Sequence, residues 1–128
     1  MRNRHLFTVL VSVLLASACT KEEPLYSATL HATCRDCVVS YAAGAAQSKK
    51  DTLHGVPDPA TGDTMAETGQ WTVQLKDGDN LFLRACRLHP DTNLGDLYVW
   101  VDGSVQPLEA SADSAQDCAE INQIIRGR

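Results

Sequence analysis

The 128-residue sequence predicts an all-β fold, an antiparallel β-sandwich of about 7 strands. From residue 25 onward, apolar residues recur at every second position within several short runs, which is the period of a strand that buries one face. Clusters of Gly, Pro and Asp separate these alternating runs and mark turns. Together the two features favour a small sandwich over a helical domain.

Three strands are predicted in the first half of the domain. Apolar and polar residues alternate over residues 26–33, and residues 37–42 follow as a second strand. Only residues 35–36 separate the two cysteines between these runs, so a tight hairpin is the natural connection. Residues 49–54 are charged enough to predict an edge strand, because charge discourages pairing with another molecule.

Further alternating runs follow in the second half. Residues 71–76 and 81–88 are joined by a short Gly- and Asp-containing turn, which predicts a hairpin. Residues 96–102 carry apolar side chains on both faces, which predicts a central strand or one whose outer face meets a partner. Residues 105–110 predict an edge or irregular strand, because Pro107 lacks a backbone N–H.

The C-terminal segment fits two structures. Residues 115–125 place apolar side chains on a helical stripe that Ser111 or Ser114 could cap. The same segment also has the alternation of a strand, with Ala119 and Ile121 on one face. Its local pattern therefore does not decide between a short C-terminal helix and a final strand.

The N-terminus has the organisation of a secretory signal peptide. A basic stretch at residues 1–5 precedes an apolar run over residues 6–15. This run is shorter than the about 20 apolar residues that a membrane-spanning helix needs. We therefore predict that residues 1–18 are removed as a signal peptide.

Cys19 is the predicted site of lipidation. Small residues at 16–18 followed by a Cys resemble the lipobox of bacterial lipoproteins, although they also fit ordinary signal-peptide cleavage. The chain has 5 cysteines, and a lipid on Cys19 leaves an even number to pair as disulfides. Residues 19–24 are then the lipidated N-terminus and tether, and residues 25–128 the sandwich domain.

The same features predict where the protein resides. A lipid on Cys19 would hold it on a membrane of the bacterial cell envelope. Thr20 follows the cysteine where an inner-membrane signal would have Asp, which favours the outer membrane. We expect the domain to face the periplasm or the cell surface.

The charge balance argues against nucleic acid as a partner. Arg2 and Arg4 leave with the signal peptide, so 9 of the 11 basic residues remain against 16 acidic ones, a net charge of −7 with histidine neutral. Nucleic-acid binders need a basic surface to neutralise phosphates. The predicted partners are instead the membrane and an envelope protein or hydrophobic ligand.

Three stretches resemble a pattern of small envelope proteins. Residues 30–41 contain a strand, a turn and returning valines followed by Ser-Tyr; residues 70–85 contain a Trp-led strand and a Lys-x-Gly-Asp turn; residues 95–103 end in Val-Asp-Gly. In this order they resemble the MmpS family and related bacterial lipoproteins. The resemblance covers most of residues 25–125.

This resemblance implies an immunoglobulin-like β-sandwich that ends in a strand over residues 117–125. MmpS proteins keep an N-terminal transmembrane helix and assist exporters of large lipids or siderophores. This chain has a lipobox-like cleavage site in that place. The resemblance therefore implies the fold more than a transport-associated role.

The four remaining cysteines, Cys34, Cys37, Cys86 and Cys118, predict two disulfides. A four-thiolate zinc site is the alternative, but the second pair is not a C-x-x-C knuckle and exported compartments oxidise thiols. Pairing Cys34 with Cys37 and Cys86 with Cys118 needs the least distortion of the backbone if the strands that carry Cys86 and Cys118 are neighbours. Sequence alone leaves three connectivities open.

Cys34 and Cys37 also form a C-x-x-C motif, so a periplasmic thiol–disulfide redox protein is the rival, enzymatic hypothesis. Redox motifs use a helix N-terminus to lower the thiol pKa, whereas a strand pattern follows Cys37. The sequence contains no nucleophile elbow, phosphate-binding loop or helical histidine pair. We therefore predict no catalytic residue, no metal and no cofactor.

Trp71, Tyr98 and Trp100 are the candidate interface residues. Tyr and Trp are enriched at binding hot spots, and packing within the sandwich is the alternative. The sequence favours a non-enzymatic, lipid-anchored module that binds a protein or a hydrophobic ligand. A purely structural envelope component is a third hypothesis.

Overall fold

Two four-stranded antiparallel sheets share one apolar core in the computed structural model, which describes residues 22–128. The strands are β1 (Tyr26–Cys34), β2 (Cys37–Ala43), β3 (Lys49–Leu53), β4 (Val56–Pro57), β5 (Thr64–Met65), β6 (Glu67–Leu75), β7 (Asn80–Arg87), β8 (Leu97–Gly103), β9 (Leu108–Ala112) and β10 (Cys118–Ile124). Sheet A has the order β6-β1-β8-β9, and sheet B has the order β10-β7-β2-β3. The strands β4 and β5 form a separate short hairpin. The predicted all-β, antiparallel fold is confirmed.

Alternation within the strands generates the core. In β1 every second residue, Ala28, Leu30, Ala32 and Cys34, is fully buried, while the residues between them are half-buried on the outer face of sheet A. The strand β7 does the same for sheet B, burying Leu81, Leu83 and Ala85. A two-residue period therefore directs the apolar side chains of both sheets toward each other.

The C-terminal segment is a strand, so the prediction of a short helix there is wrong and the alternative of a final strand is confirmed. The strand β10 pairs with β7, with Cys118 opposite Cys86 and Ile121 opposite Leu83. Ala119 and Ile121 are buried while Glu120 is exposed. An antiparallel partner supplies the backbone hydrogen bonds and a core for alternate residues, which outweighs the weak helical stripe.

Strand positions largely follow the sequence prediction. The strands β3 and β9 lie at sheet edges, and β8 lies between β1 and β9 as a central strand. The Trp-led strand begins earlier than predicted, at Glu67, and β9 begins only after Pro107. Val105 instead makes an isolated bridge to Gly127 and is buried. No helix long and apolar enough to cross a membrane occurs within residues 22–128.

A buried arginine ties two loops to the end of the sandwich. Arg87, at the end of β7, is 6% exposed, and its guanidinium donates to the backbone carbonyls of Gly95, Asp113 and Gln116. The distances to the Asp113 and Gln116 carbonyl oxygens are 2.6 and 3.1 Å. These acceptors belong to the segments before β8 and before β10, so one side chain fixes both connections.

We expect Arg87→Met to lower the free energy of unfolding by roughly 2–4 kcal/mol, because three carbonyls lose a charged donor in a buried site. Arg84→Met is the matched control on the same strand, since Arg84 is exposed, and should change the stability by less than about 0.5 kcal/mol. Urea unfolding of both variants measures the difference. Equal losses in the two variants would contradict the role of Arg87.

Candidate functional site

The outer face of sheet A carries a row of stacked rings. The ring centroids of His31 and Trp100 are 4.6 Å apart with an interplanar angle of 0°, and those of Tyr98 and Trp100 are 5.0 Å apart at 27°. These distances are typical of stabilising aromatic pairs. We call His31, Tyr98 and Trp100 the aromatic stack.

Strand pairing builds the aromatic stack. The residues of β8 alternate, so buried Leu97, Val99 and Val101 face the core while Tyr98 and Trp100 face outward. The antiparallel register of β1 and β8 places His31 directly opposite Trp100. Two strands that are far apart in sequence therefore supply one continuous ring surface at the middle of the sheet.

Two carboxylates hold the ends of the aromatic stack. The Nε2 atom of His31 lies 3.1 Å from an Asp102 carboxylate oxygen, and the Tyr98 hydroxyl donates to Glu109 at 2.6 Å. The hydrogen bond to Glu109 raises the pKa of the Tyr98 phenol, and burial and the negative charge of Glu109 add to that shift. Tyr98 therefore stays protonated and keeps donating in neutral solution.

The stack is open to solvent at Tyr98. The Tyr98 residue is 37% exposed, whereas Trp100 is half-buried between its two neighbouring rings. A cavity of about 340 Å³ opens beside Tyr98, and Asp96, Ser111 and Asp113 contribute its polar lining. The surface thus combines an apolar ring face with carboxylates, and none of its named residues is Lys or Arg.

Trp71 does not belong to this surface. It lies on β6, opposite Leu30 of β1, and belongs to the half-buried residues that pack against the core. Its ring centroid is 5.5 Å from that of Tyr41, and its Nε1 donates to an Asp51 carboxylate oxygen at 3.2 Å. The structure therefore brings two of the three candidate interface residues together and places the third at the side of the sandwich.

Sequence reasoning missed three members of the site. The sequence pattern indicates no role for His31, Asp102 or Glu109. Alternation along β1 and β8 does place His31, Trp100 and Asp102 on outer faces. Nothing in the local pattern, however, states that β1 pairs with β8, and this pairing creates the stack.

Both cysteine pairs lie at disulfide distance in the connectivity that the sequence favoured. Cys34 and Cys37 flank the β1–β2 turn with a Cα–Cα distance of 6.1 Å, and both are fully buried. Cys86 and Cys118 are directly opposite on β7 and β10, with a Cα–Cα distance of 4.1 Å. This second pair is half-buried on the outer face of sheet B. One pair is thus enclosed in the core, and the other is accessible.

The remaining polar features of residues 22–128 form no recognisable metal centre. A cavity of about 410 Å³ lies between the β1–β2 turn and the loop before β8, with Asp36, Asp63 and His89 in its lining. Within residues 22–128 no group of three or more His, Cys, Asp or Glu side chains could hold a metal ion. The predicted signal peptide and the predicted lipidation site Cys19 lie outside the described residues.

The two cysteine pairs should differ in how easily they are reduced in the folded protein. We expect a water-soluble phosphine to open Cys86–Cys118 first, because it faces solvent, and to leave Cys34–Cys37 intact until the domain unfolds. The loop-length relation also gives a larger stability loss for the long connection, roughly 4 against roughly 2 kcal/mol. Stepwise alkylation with peptide mapping measures the order, and earlier labelling of Cys34 and Cys37 would contradict it.

The Tyr98 phenol should titrate at a higher pH than an ordinary tyrosine. We expect Glu109→Ala to lower the pKa of Tyr98 toward its usual value, because the hydrogen bond and the negative charge are both removed. Asp102→Asn is the control, since Asp102 contacts His31 and not Tyr98. Ring carbon chemical shifts followed by NMR during a pH titration resolve Tyr98 from the other tyrosines. An unchanged Tyr98 titration in Glu109→Ala would show that Glu109 does not act on the phenol.

Comparison with protein-family models, curated proteins and solved structures gives no match for this chain. No property of a relative is therefore transferred to it. Its function has to be inferred from the chemistry of its own surfaces, of which the aromatic stack is the most distinctive.

Proposed function

We propose that this protein is a non-enzymatic, lipid-anchored module of the bacterial cell envelope, and that its aromatic stack binds a partner protein or a hydrophobic ligand. The observation that carries the proposal is the ring surface of Tyr98 and Trp100 on the outer face of a central strand. Two further lines of support are the signal-peptide pattern and the chemistry of the cysteines.

The proposed location rests on the N-terminal sequence and on cysteine use. The pattern before Cys19 is that of a lipoprotein signal peptide, and a lipid there uses the odd cysteine. The other four cysteines lie in pairs at disulfide distance, as is usual for proteins of oxidising compartments. Anchoring through Cys19 in the outer membrane is the arrangement that we propose.

The proposed architecture is an immunoglobulin-like sandwich. Two antiparallel sheets of about 100 residues with inward alternation are its hallmarks, and the sheets of this chain share one buried core. The resemblance of residues 30–41, 70–85 and 95–103 to MmpS-type lipoproteins supports the same proposal. Such domains commonly use a sheet face or their end loops for recognition.

A binding role accounts for the outward aromatics better than a purely structural role. An outward Tyr and Trp side by side on a central strand leave apolar area uncovered, and soluble domains rarely keep such groups without a use. Asp102 and Glu109 fix the orientation of the rings at no benefit to the core, since they lie on the outer face. A structural component would need neither the rings nor their supports.

The geometry also favours a binder over a thiol–disulfide enzyme. Thiol–disulfide exchange requires a thiolate to reach the sulfur of a second molecule, and Cys34 and Cys37 are 0% exposed. Cys37 begins a strand, so no helix N-terminus adjoins it to lower its pKa. Neither requirement of the redox hypothesis is met at this motif.

Site-specific photo-cross-linking in intact cells tests the proposal. A benzophenone amino acid at Thr33, which lies opposite Tyr98 on the same face, should capture the bound protein or lipid, whereas one at Ser40 on the outer face of sheet B should not. Trp100→Ala should reduce the Thr33 adduct about tenfold. The N-terminal peptide of the same purified protein should begin at Cys19 and carry a diacylglycerol mass.

Two results would count against this function. Adducts of equal yield from Thr33 and Ser40 would mean that the aromatic stack is not a preferred binding surface. A Thr33 adduct that persists in Trp100→Ala would mean that the rings do not contribute to binding.

A further inference from the structure

The edge strand β6 stands out among the four sheet edges because it is long and unprotected. It has 9 residues, against 5 in β3, 5 in β9 and 7 in β10. Natural edges avoid pairing with other chains by charge, proline or shortness. The edge β3 carries two lysines, β10 carries Glu120, and β9 is short and follows Pro107, whereas β6 has no charged residue or proline after Glu67.

The alternation of backbone hydrogen bonds along β1 shows which N–H and C=O groups of β6 are left without a partner within residues 22–128. The N–H of Ser104 donates to the carbonyl of Ser27 at 2.9 Å, so Ser27 and every second residue after it in β1 bond toward β8. The intervening residues of β1 therefore bond toward β6, where their partners begin with Leu75 and continue at every second position. The residues left over direct their N–H and C=O groups away from the sheet: Thr68, Gln70, Thr72 and Gln74.

Nothing in the described part of the chain covers these groups. The strand β6 pairs with β1 alone, and the side chains of Thr68, Gln70, Thr72 and Gln74 are all exposed. An unpaired row of this kind accepts a further strand readily, because the hydrogen bonds it makes are with the backbone and do not depend on sequence.

We propose that the β6 edges of two copies of this protein pair antiparallel about a two-fold axis at Trp71, joining two copies of sheet A into one eight-stranded sheet. In this register Gln70 of each copy lies opposite Thr72 of the other, and Thr68 lies opposite Gln74. These pairs fall at the positions whose N–H and C=O groups point outward, so every one of them forms hydrogen bonds across the new ladder. Because the axis is two-fold, both copies contribute the same residues to the interface.

The inner side of the strand fits the same register. Trp71 of the two copies would face each other at a position without backbone hydrogen bonds, where side chains approach most closely. Gly69 would lie opposite Val73, and the indole of Trp71 already occupies the space above Gly69 within each copy. Trp71 is half-buried in the single chain and packs on Tyr41 at 5.5 Å, so pairing covers an indole that is already held in place.

Charge permits a second copy as the occupant of this edge, because β6 is uncharged over all but its first residue. The predicted mature chain has a net charge of −7, and two such chains repel each other wherever acidic groups are apposed. The stretch from Thr68 to Leu75 contains no charged residue, so pairing this edge with itself places no like charges directly opposite each other. A basic partner strand would gain no ion pair along the same stretch.

A charge-swap experiment tests the pairing and its register. Full-length chains with two different C-terminal tags are expressed in the same bacterial cells, and recovery of one tag with the other measures self-association. Gln70→Lys with Thr72→Lys puts lysines opposite each other, and Gln70→Glu with Thr72→Glu does the same with carboxylates. We expect each double variant to lose self-association at least about tenfold, and co-expression of the lysine form with the glutamate form to restore it.

The opposite edge of the other sheet provides the control. Glu120→Lys with Asn122→Lys changes the exposed edge strand β10 and should leave self-association unchanged. Light scattering of the purified wild-type protein should give the mass of two chains. A monomeric wild type, an equal loss in the β10 variant, or no recovery in the mixed lysine and glutamate pair would overturn the proposal. Capture of a different protein in place of the second tagged copy would overturn it as well.

Discussion

The register of β1 between β6 and β8 is the constraint on which the other features depend. Because side chains alternate between the faces of a sheet, a shift by one residue would expose Leu30 and Cys34 and bury His31. The buried alanines at 28 and 32 allow the facing sheet to approach closely, and Leu30 and Cys34 fill the space between them. The same register aligns His31 with Trp100 on one side and sets the hydrogen-bond phase of β6 on the other.

Much of the fold could be predicted because short-range sequence patterns determine the positions of the strands. Alternation located most of the strands, Pro107 indicated that β9 is an edge strand, and charge placed β3 at an edge. The C-terminal segment did not yield to the same reasoning, because the six apolar side chains of residues 115–125 fit both a helical and a strand period. Its strand conformation depends on β7 as a partner, and the identity of a strand's partner is a property of the whole chain.

The candidate site was less predictable than the fold for a related reason. Alternation placed Tyr98 and Trp100 together on the face opposite Leu97, Val99 and Val101, but it left open which face is buried. Trp71 has the same residue type but lies on the inner side of β6, where Gly69 leaves room for its indole. Separating the two cases requires knowing which face of each strand is buried. His31 and Glu109 enter the site only through strand pairing, which no single segment encodes.

The carboxylates of Asp102 and Glu109 reduce the entropy that the rings of the aromatic stack could lose on binding. A ligand that must immobilise a flexible aromatic side chain loses about 0.5–1.5 kcal/mol of binding free energy for each one. Tyr98 is already fixed by Glu109 and by stacking on Trp100, and His31 is fixed by Asp102 and by stacking on the same indole. Folding has therefore already supplied most of that ordering. For the binding role that we propose, this ordering means that a ligand of modest contact area would lose little binding free energy to fixing the rings.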